Sequence, residues 1–195
     1  LRSDFNLTCE GDVGAFLGIQ FTRNSHRNME MTQPGLIAKI VKECGLDSES
    51  KRHNTPAVTR LLQKDSSGPQ REHQWKYRTL IGMLTYLSMS SRPKIAFAVH
   101  QCARFSTCPM RIHEIAVRRI CRYLQATSDK GYILQPSANS RNLDCYVDAD
   151  FAGMWCDKIS EEPFSVKSRT GFVILFANCP VLWSSKLQTE IALST

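Results

Sequence analysis

The chain has 195 residues, 42% hydrophobic and 22% charged, which excludes a disordered polyelectrolyte or a fibrous repeat and provides enough apolar side chains for a real core. Its net charge of +7 is uneven: residues 1–142 carry 21 Lys and Arg against 11 Asp and Glu, residues 143–195 carry 4 against 7. A basic body before an acidic end suggests a polyanion such as nucleic acid for the first part and a cation for the second, although ordinary proteins also show this asymmetry.

The eight cysteines, Cys9, Cys44, Cys102, Cys108, Cys121, Cys145, Cys156 and Cys179, include no C-x-x-C pair and no histidine at finger-like spacing, which argues against zinc. Cys102, Cys121 and Cys145 fall among apolar positions of periodic segments, where a free thiol acts as a small hydrophobe, so a reducing compartment is expected. Leu1 to Gly14 has no apolar signal-peptide core. The longest apolar stretch, Phe172 to Trp183, is broken by Asn178 and Pro180, well short of the roughly 20 residues of a membrane span. No membrane partner and an intracellular location, cytoplasmic or nuclear, are therefore expected. The acceptor tripeptide Asn6-Leu7-Thr8 is too common to carry weight. The first residue is not Met, which suggests a piece of a longer reading frame.

Ala15 to Thr22 alternates apolar and polar, Asn24-Ser25 signals a turn, and Met29 to Thr32 follows, so a β-hairpin is predicted. Pro34 opens a helix with Leu36, Ile37, Ile40 and Val41 on one face, closing at Gly45. Residues 47–73, with Pro56, Gly68 and Pro69, read as a linker or extended loop. Tyr77, Leu80, Ile81 and Leu84 share a helical face. A second helix follows Ser91, a candidate cap, and Pro93, with Ile95, Ala98, Val99, Cys102 and Phe105 as its stripe. A third runs from about Pro109 to Gln125 and is expected to bury Ile112, Ala116, Ile120, Tyr123 and Leu124. These three should form a small bundle.

The other side of that third helix carries Arg111, Glu114, Arg118 and Arg122, with Arg119 beside them, and Lys94 and Arg104 on the preceding helix extend the stripe. It reads either as a solvated face or as a surface that tracks phosphates through the forked guanidinium donors. No base-reading element is evident, so such binding would be tolerant of sequence and sensitive to salt.

After Gly131 the period becomes two. Tyr132 to Leu134 is a short strand, and in Leu143 to Ala149 the residues Asp144, Tyr146 and Asp148, followed by Asp150, point to one side. Carboxylates on one strand face repel unless a cation or donor sits between them; equally, Asp150 belongs to the turn with Gly153 and Asp144 to solvent. Gly171 to Phe176 and Val181 to Ser184, joined at Asn178-Cys179-Pro180, complete an antiparallel meander. Glu190 to Thr195 could begin a helix.

Across the whole chain, Leu17-Gly18-Ile19-Gln20, Gln33-Pro34-Gly35-Leu36-Ile37, Tyr77 to Leu87, Arg92 to Val99, Arg122-Tyr123-Leu124, Asp148-Ala149-Asp150-Phe151-Ala152-Gly153, Ser168-Arg169-Thr170-Gly171-Phe172 and Trp183-Ser184-Ser185-Lys186 resemble, in order and spacing, the Ty1/copia-type retrotransposon polyprotein from the end of reverse transcriptase into ribonuclease H. The resemblance implies an α+β chain: a β-hairpin and small helical thumb and connection bundle (residues 1–131), then the N-terminal part of a ribonuclease H-like domain with an incomplete antiparallel three-stranded sheet (residues 132–195). The polymerase's Tyr-x-Asp-Asp motif is not in this sequence and is expected upstream.

The same resemblance implies that Asp148 is the first catalytic and metal-binding aspartate of a nuclease that cleaves the RNA of an RNA–DNA hybrid with two Mg²⁺ ions. It also implies that thumb and connection helices grip template and primer, a role that Arg111, Arg118 and Arg122 fit although the family motif does not assign it to them; Lys94, Arg104 and Arg119 are nucleic-acid-binding candidates from the charge stripe. The expected partners are an RNA–DNA hybrid or template-primer duplex and the remainder of the polyprotein. The next acidic ligand would follow Thr195, and Glu190 lies slightly too early to replace it. One carboxylate cannot organise two hard cations, so the isolated chain is expected to be inactive. Phe151 stands where Trp is common, and Met154 to Phe164 resembles an acidic insert. The alternative is a non-catalytic nucleic-acid-binding module retained by a host, or an unexpressed relic.

Overall fold

The protein is described by a computed structural model covering residues 13–23, 28–47, 49–58, 61–153, 155 and 165–192. The Asn24-Ser25 turn, the Asn6-Leu7-Thr8 acceptor and most of the Met154 to Phe164 insert lie outside the described residues. The elements run β1 (Ala15–Phe16), β2 (Ile19–Arg23), β3 (Met29–Thr32), α1 (Pro34–Glu43), α2 (Tyr77–Ser90), a 3₁₀ turn (Pro93–Ile95), α3 (Ala96–Ala103), α4 (Arg111–Ala126), β4 (Tyr132–Leu134), β5 (Leu143–Ala149), β6 (Arg169–Phe176) and β7 (Cys179–Leu187).

The stretch expected as one strand over residues 15–22 is itself folded back. Leu17 and Gly18 both have positive φ, 51° and 78°, the geometry of a tight turn whose twist matches its flanking strands, and β1 pairs antiparallel with β2 across it. The first sheet has the order β1-β2-β3-β4. Its last strand corrects the sequence grouping: Tyr132 to Leu134 pairs antiparallel with β3, with Met31 opposite Tyr132. The chain leaves this sheet only after Leu134.

Helix α1 begins at Pro34, where a missing peptide N–H costs nothing, and ends at Gly45 as the sequence requires. The Gly45 φ of 65° lets its N–H donate to the Lys42 carbonyl and that of Leu46 to the Val41 carbonyl, closing the helix in the manner that favours glycine. Ile37 and Ile40 of α1 join Leu80, Leu84 and Leu87 of α2, Ile95 of the 3₁₀ turn, Val99 of α3, and Val117, Ile120 and Leu124 of α4 in one core. The bundle therefore has four helices, not three. Ser91 does not cap the following turn; its hydroxyl donates to Gln33 Oε1 at 2.7 Å, with both residues buried.

The second sheet has the order β5-β6-β7, all antiparallel. Its β6–β7 turn is Ala177-Asn178, both with positive φ, one step earlier than the sequence suggested; Pro180 lies within β7, beside a register shift, where a strand tolerates proline. One face packs on the helices: Trp183 Nε1 donates to the Ser88 carbonyl at 2.9 Å, and its ring meets Tyr132 at 5.5 Å. The opposite face, with Leu143 and Val147 facing Phe176 and Phe172, stays open; Leu143 is 70% and Val147 68% exposed. Glu190 lies in a bend and Ile191 and Ala192 are not helical; the rest of the expected C-terminal helix is outside the described residues.

Candidate nucleic-acid interface

Helix α4 buries Ile120, Tyr123 and Leu124 as expected and packs Ala116 against the core, but its first turn departs from the expected face. Ile112 is 37% exposed, while His113, Glu114, Val117 and Cys121 are buried. The charged side therefore lies partly inside, because Arg111, Arg118 and Arg119 find protein partners far away in sequence. Arg111 bridges Glu72 and Glu114, with both contacts at 2.6 Å. Arg118 Nη1 donates to the Cys44 carbonyl at 3.0 Å and Arg119 Nη2 to Thr55 Oγ1 at 2.8 Å. Arg119 and Arg122 line a mainly apolar groove of about 270 Å³ between His53, Pro56 to Val58, Leu61 and Leu62 on one side and α3 and α4 on the other. Lys94, in the 3₁₀ turn, is exposed.

Sequence reasoning gave Arg92 no role. It is buried and donates to the carbonyls of Thr127 at 2.8 Å and Lys130 at 3.0 Å, and to the Thr127 hydroxyl. A cation at the C-terminus of α4 meets its unpaired carbonyls and the negative end of the helix dipole.

The acidic strand is formed as expected: Asp144, Tyr146 and Asp148 alternate along one side of β5, and Asp148 lies opposite Gly171 of β6. Asp148 is exposed. Asp150 belongs to the turn beyond. Its Oδ1 accepts the Arg169 N–H at 2.5 Å, its own N–H donates to the Arg169 carbonyl at 3.1 Å, and a Cβ added at Gly153 would lie 2.5 Å from Asp150 Oδ2. Among the described residues no three His, Cys, Asp or Glu side chains are grouped to share a metal ion. With Asp150 engaged by a peptide N–H, the described donors do not fit the pair of hard cations the family likeness implies.

Across the seam from this strand end lies a group of cations. The Arg169 guanidinium stacks over Phe97 of α3 at 4.8 Å from the ring centre, and its Nη1 is 3.3 Å from His100 Nδ1. Arg104, just past the end of α3, donates to Gln101 Oε1 at 3.0 Å and lies over Phe105 at 5.1 Å. Burial, then Arg169, Arg104 and Lys186, push His100 down to about 4. Burial, then Arg169, push Arg104 down to about 10. Arg169 is lowered by burial while Asp150 opposes the shift. Arg169 and His100 were not singled out from sequence as site residues; the only available signal was the position of Arg169 inside a quoted motif.

The six described cysteines are all free thiols, four buried and two exposed. Among the described residues no helix is long and apolar enough to cross a membrane.

No protein-family model matches the chain, and no solved structure matches it. It is 28% identical over its full length to the retrovirus-related Pol polyprotein from transposon RE2 of Arabidopsis thaliana, of which it spans 13%. It is 28% identical over 176 residues, 90% of this chain and 54% of the relative, to a putative transposon Ty5-1 protein of Saccharomyces cerevisiae. A third relative, secreted RxLR effector protein 161 of Plasmopara viticola, is 33% identical over 119 residues, 61% of this chain and 78% of that protein. The long transposon match runs through both sheets and the helices between them, so over its full length the chain is similar to a segment of retrotransposon Pol polyproteins.

Proposed function

We propose that this segment runs from the end of reverse transcriptase into a ribonuclease H-like domain, and that the parent polyprotein performs RNA-directed DNA synthesis and cleaves RNA in RNA–DNA hybrids. Within that assembly the segment contributes nucleic-acid contact and the first catalytic aspartate, Asp148, and it depends on the remainder of the polyprotein for the other carboxylates. Its partner is a hybrid or template-primer duplex inside the cell, in cytoplasm or nucleus. The observation that carries this reading is the full-length likeness to a Pol polyprotein, joined to an aspartate displayed at the open end of a strand beside a cationic seam.

When bound, Mg²⁺ would supply an activated water and steady the leaving oxygen; Asp148 and Asp150 alone do not fit that task. The test is a labelled RNA–DNA hybrid incubated with the purified chain and Mg²⁺. Salt-sensitive binding without cleavage is expected. Robust cleavage lost in Asp148→Asn overturns the division of labour, and salt-insensitive binding overturns the role in phosphate contact.

A second reading is a non-catalytic nucleic-acid-binding module acting by itself. It is favoured by the relative named as an effector, 78% of whose length the match covers. It predicts the same binding with no gain when the rest of the polyprotein is added.

A further inference from the structure

We propose that His100, Arg104 and Arg169 form a phosphate seat at the seam between α3 and β6, and that its ligand is a backbone phosphate of a nucleic-acid strand lying beside the Asp148 end of β5. This inference rests on the nucleic-acid reading above and gives it a place.

Three observations carry it. First, Arg169 Nη2 is buried without a hydrogen-bond partner. A buried guanidinium N–H left unpaired is costly, and the side chain is held where it is by Phe97 on its face and His100 at Nη1. Second, like charges are gathered rather than dispersed. Arg169 disfavours the charge of Arg104, whose guanidinium is held beside the same helix end by Gln101, and Arg169, Arg104 and Lys186 all disfavour a charged His100. Asp150 answers Arg169 through the peptide N–H. An anion with several acceptor oxygens would satisfy the orphan donor and relieve the repulsion together, and phosphate matches the guanidinium fork. Third, the seat is tied to the strand that carries the aspartates. The two hydrogen bonds between Arg169 and Asp150 fix the backbone of β6 against the end of β5, so a strand held at Arg169 runs past Asp148, two residues away.

His100 reports on the seat. With Nδ1 facing an arginine donor, the neutral ring keeps its proton on Nε2. Cations press it towards that form, and a bound phosphate would reverse the pressure. The experiment is a pH titration of the His100 ring by NMR in the full chain, assigned by loss of the signal in His100→Gln. It is run without ligand, with inorganic phosphate, and with a short RNA–DNA hybrid, alongside hybrid binding by fluorescence anisotropy at about 50 mM salt.

The expected result is a pKa that climbs by roughly one unit with the hybrid and an affinity that falls about tenfold in Arg169→Gln but less in Arg169→Lys. Tight binding of the hybrid with His100 unmoved, and with Arg169→Gln binding as well as the parent, overturns the seat while leaving the nucleic-acid reading intact. A shift with inorganic phosphate and no hybrid binding supports the phosphate chemistry and removes the nucleic-acid strand as its source. The unmodified chain alone decides the first comparison, so a variant that fails to fold does not rescue the proposal.

Discussion

Arg111 Nη1 lies 2.6 Å from Glu114 Oε2, one turn further along α4, and this pair closes the long segment between α1 and α2 onto the bundle. The Glu114 carboxylate is fully buried and also accepts the N–H of Glu72 at 3.0 Å and of His73 at 2.9 Å. Arg71 and the His73 ring stand 3.8 and 3.2 Å away. Burial alone would raise its pKa, but the Glu72 amide, Arg111 and His73 together bring it below the ordinary carboxylate value.

Glu114→Ala should therefore cost about 3–5 kcal/mol, because it leaves Arg111 Nη1 and the two peptide N–H groups without their buried acceptor, Glu72 holding only Nη2. Glu114→Gln should cost less, since an amide oxygen still accepts. Hydrogen exchange at the Glu72 and His73 amides should speed up in Glu114→Ala, while amides within β6 and β7 stay slow. Urea unfolding measures the first effect and exchange the second; protection at Glu72 and His73 equal to that of the parent protein removes the clamp.

Two turns give substitutions of opposite sign. Gly45 has nothing within 4 Å of an added Cβ, so Gly45→Ala meets only the penalty of a positive φ and should destabilise by about 1 kcal/mol. Ala177 already bears that penalty at φ 50° while its N–H and carbonyl are used by Asn142 and Ser137. Ala177→Gly keeps both bonds and should stabilise by roughly 0.5–1 kcal/mol. Thermal melts of the two variants should move in opposite directions.

How far the sequence could be read depended on the range of the interaction. The faces of α1 and α2, the stop at Gly45 and the alternation along β5 are local, set by periods of 3.6 and 2, and the structure has them. Helix α4 was legible as a helix and in most of its buried face, at Ile120, Tyr123 and Leu124, but not in its first turn. Ile112 and Glu114 stand two residues apart, and which of them is buried is decided by residues 71–73, about 40 positions earlier in the chain. The arginine stripe could be read as a solvated face or a phosphate-tracking one for the same reason: periodicity marks a face without saying what covers it. Arg169 and His100, 69 positions apart, share no local pattern. Tyr132–Leu134 shows the same limit, since a strand's alternation does not name its partner.

Acid should weaken the fold before any carboxylate is lost. His100 titrates near 4 when folded against an ordinary 6.5, so between those values the unfolded chain binds a proton that the folded one refuses. Stability then rises with pH across that window and is unaffected by this residue above about pH 6.5. His53 and His113, lowered first of all by burial, act in the same direction. Glu114 adds a loss at lower pH still: its contribution is complete above the ordinary 4.5 and disappears as pH falls through its depressed folded value. Urea midpoints measured from pH 7 to pH 4 should decline throughout, and His100→Gln should flatten the slope between about pH 6 and pH 4.5; an unchanged slope in that variant places the effect elsewhere.

The open face of the second sheet governs solubility rather than stability. Strand β5 is one of the two outer strands of its sheet, and Leu143 and Val147 on it are more than two-thirds exposed, alongside Phe176 and Leu182, each about half exposed. An apolar outer strand offers unpaired peptide groups and a sticky surface to a second molecule. Because Val147 buries little, replacing it should change the unfolding free energy by no more than about 0.5 kcal/mol, whereas a lysine there repels a second copy and bends away from strand addition. Val147→Lys should therefore raise the temperature at which light scattering begins while leaving the urea midpoint in place. The same substitution at Val117, in the core of the helical bundle, should abolish folding, so the pair separates a surface effect from a general response to charge. Scattering that begins at the same temperature in Val147→Lys would show that association starts from another surface.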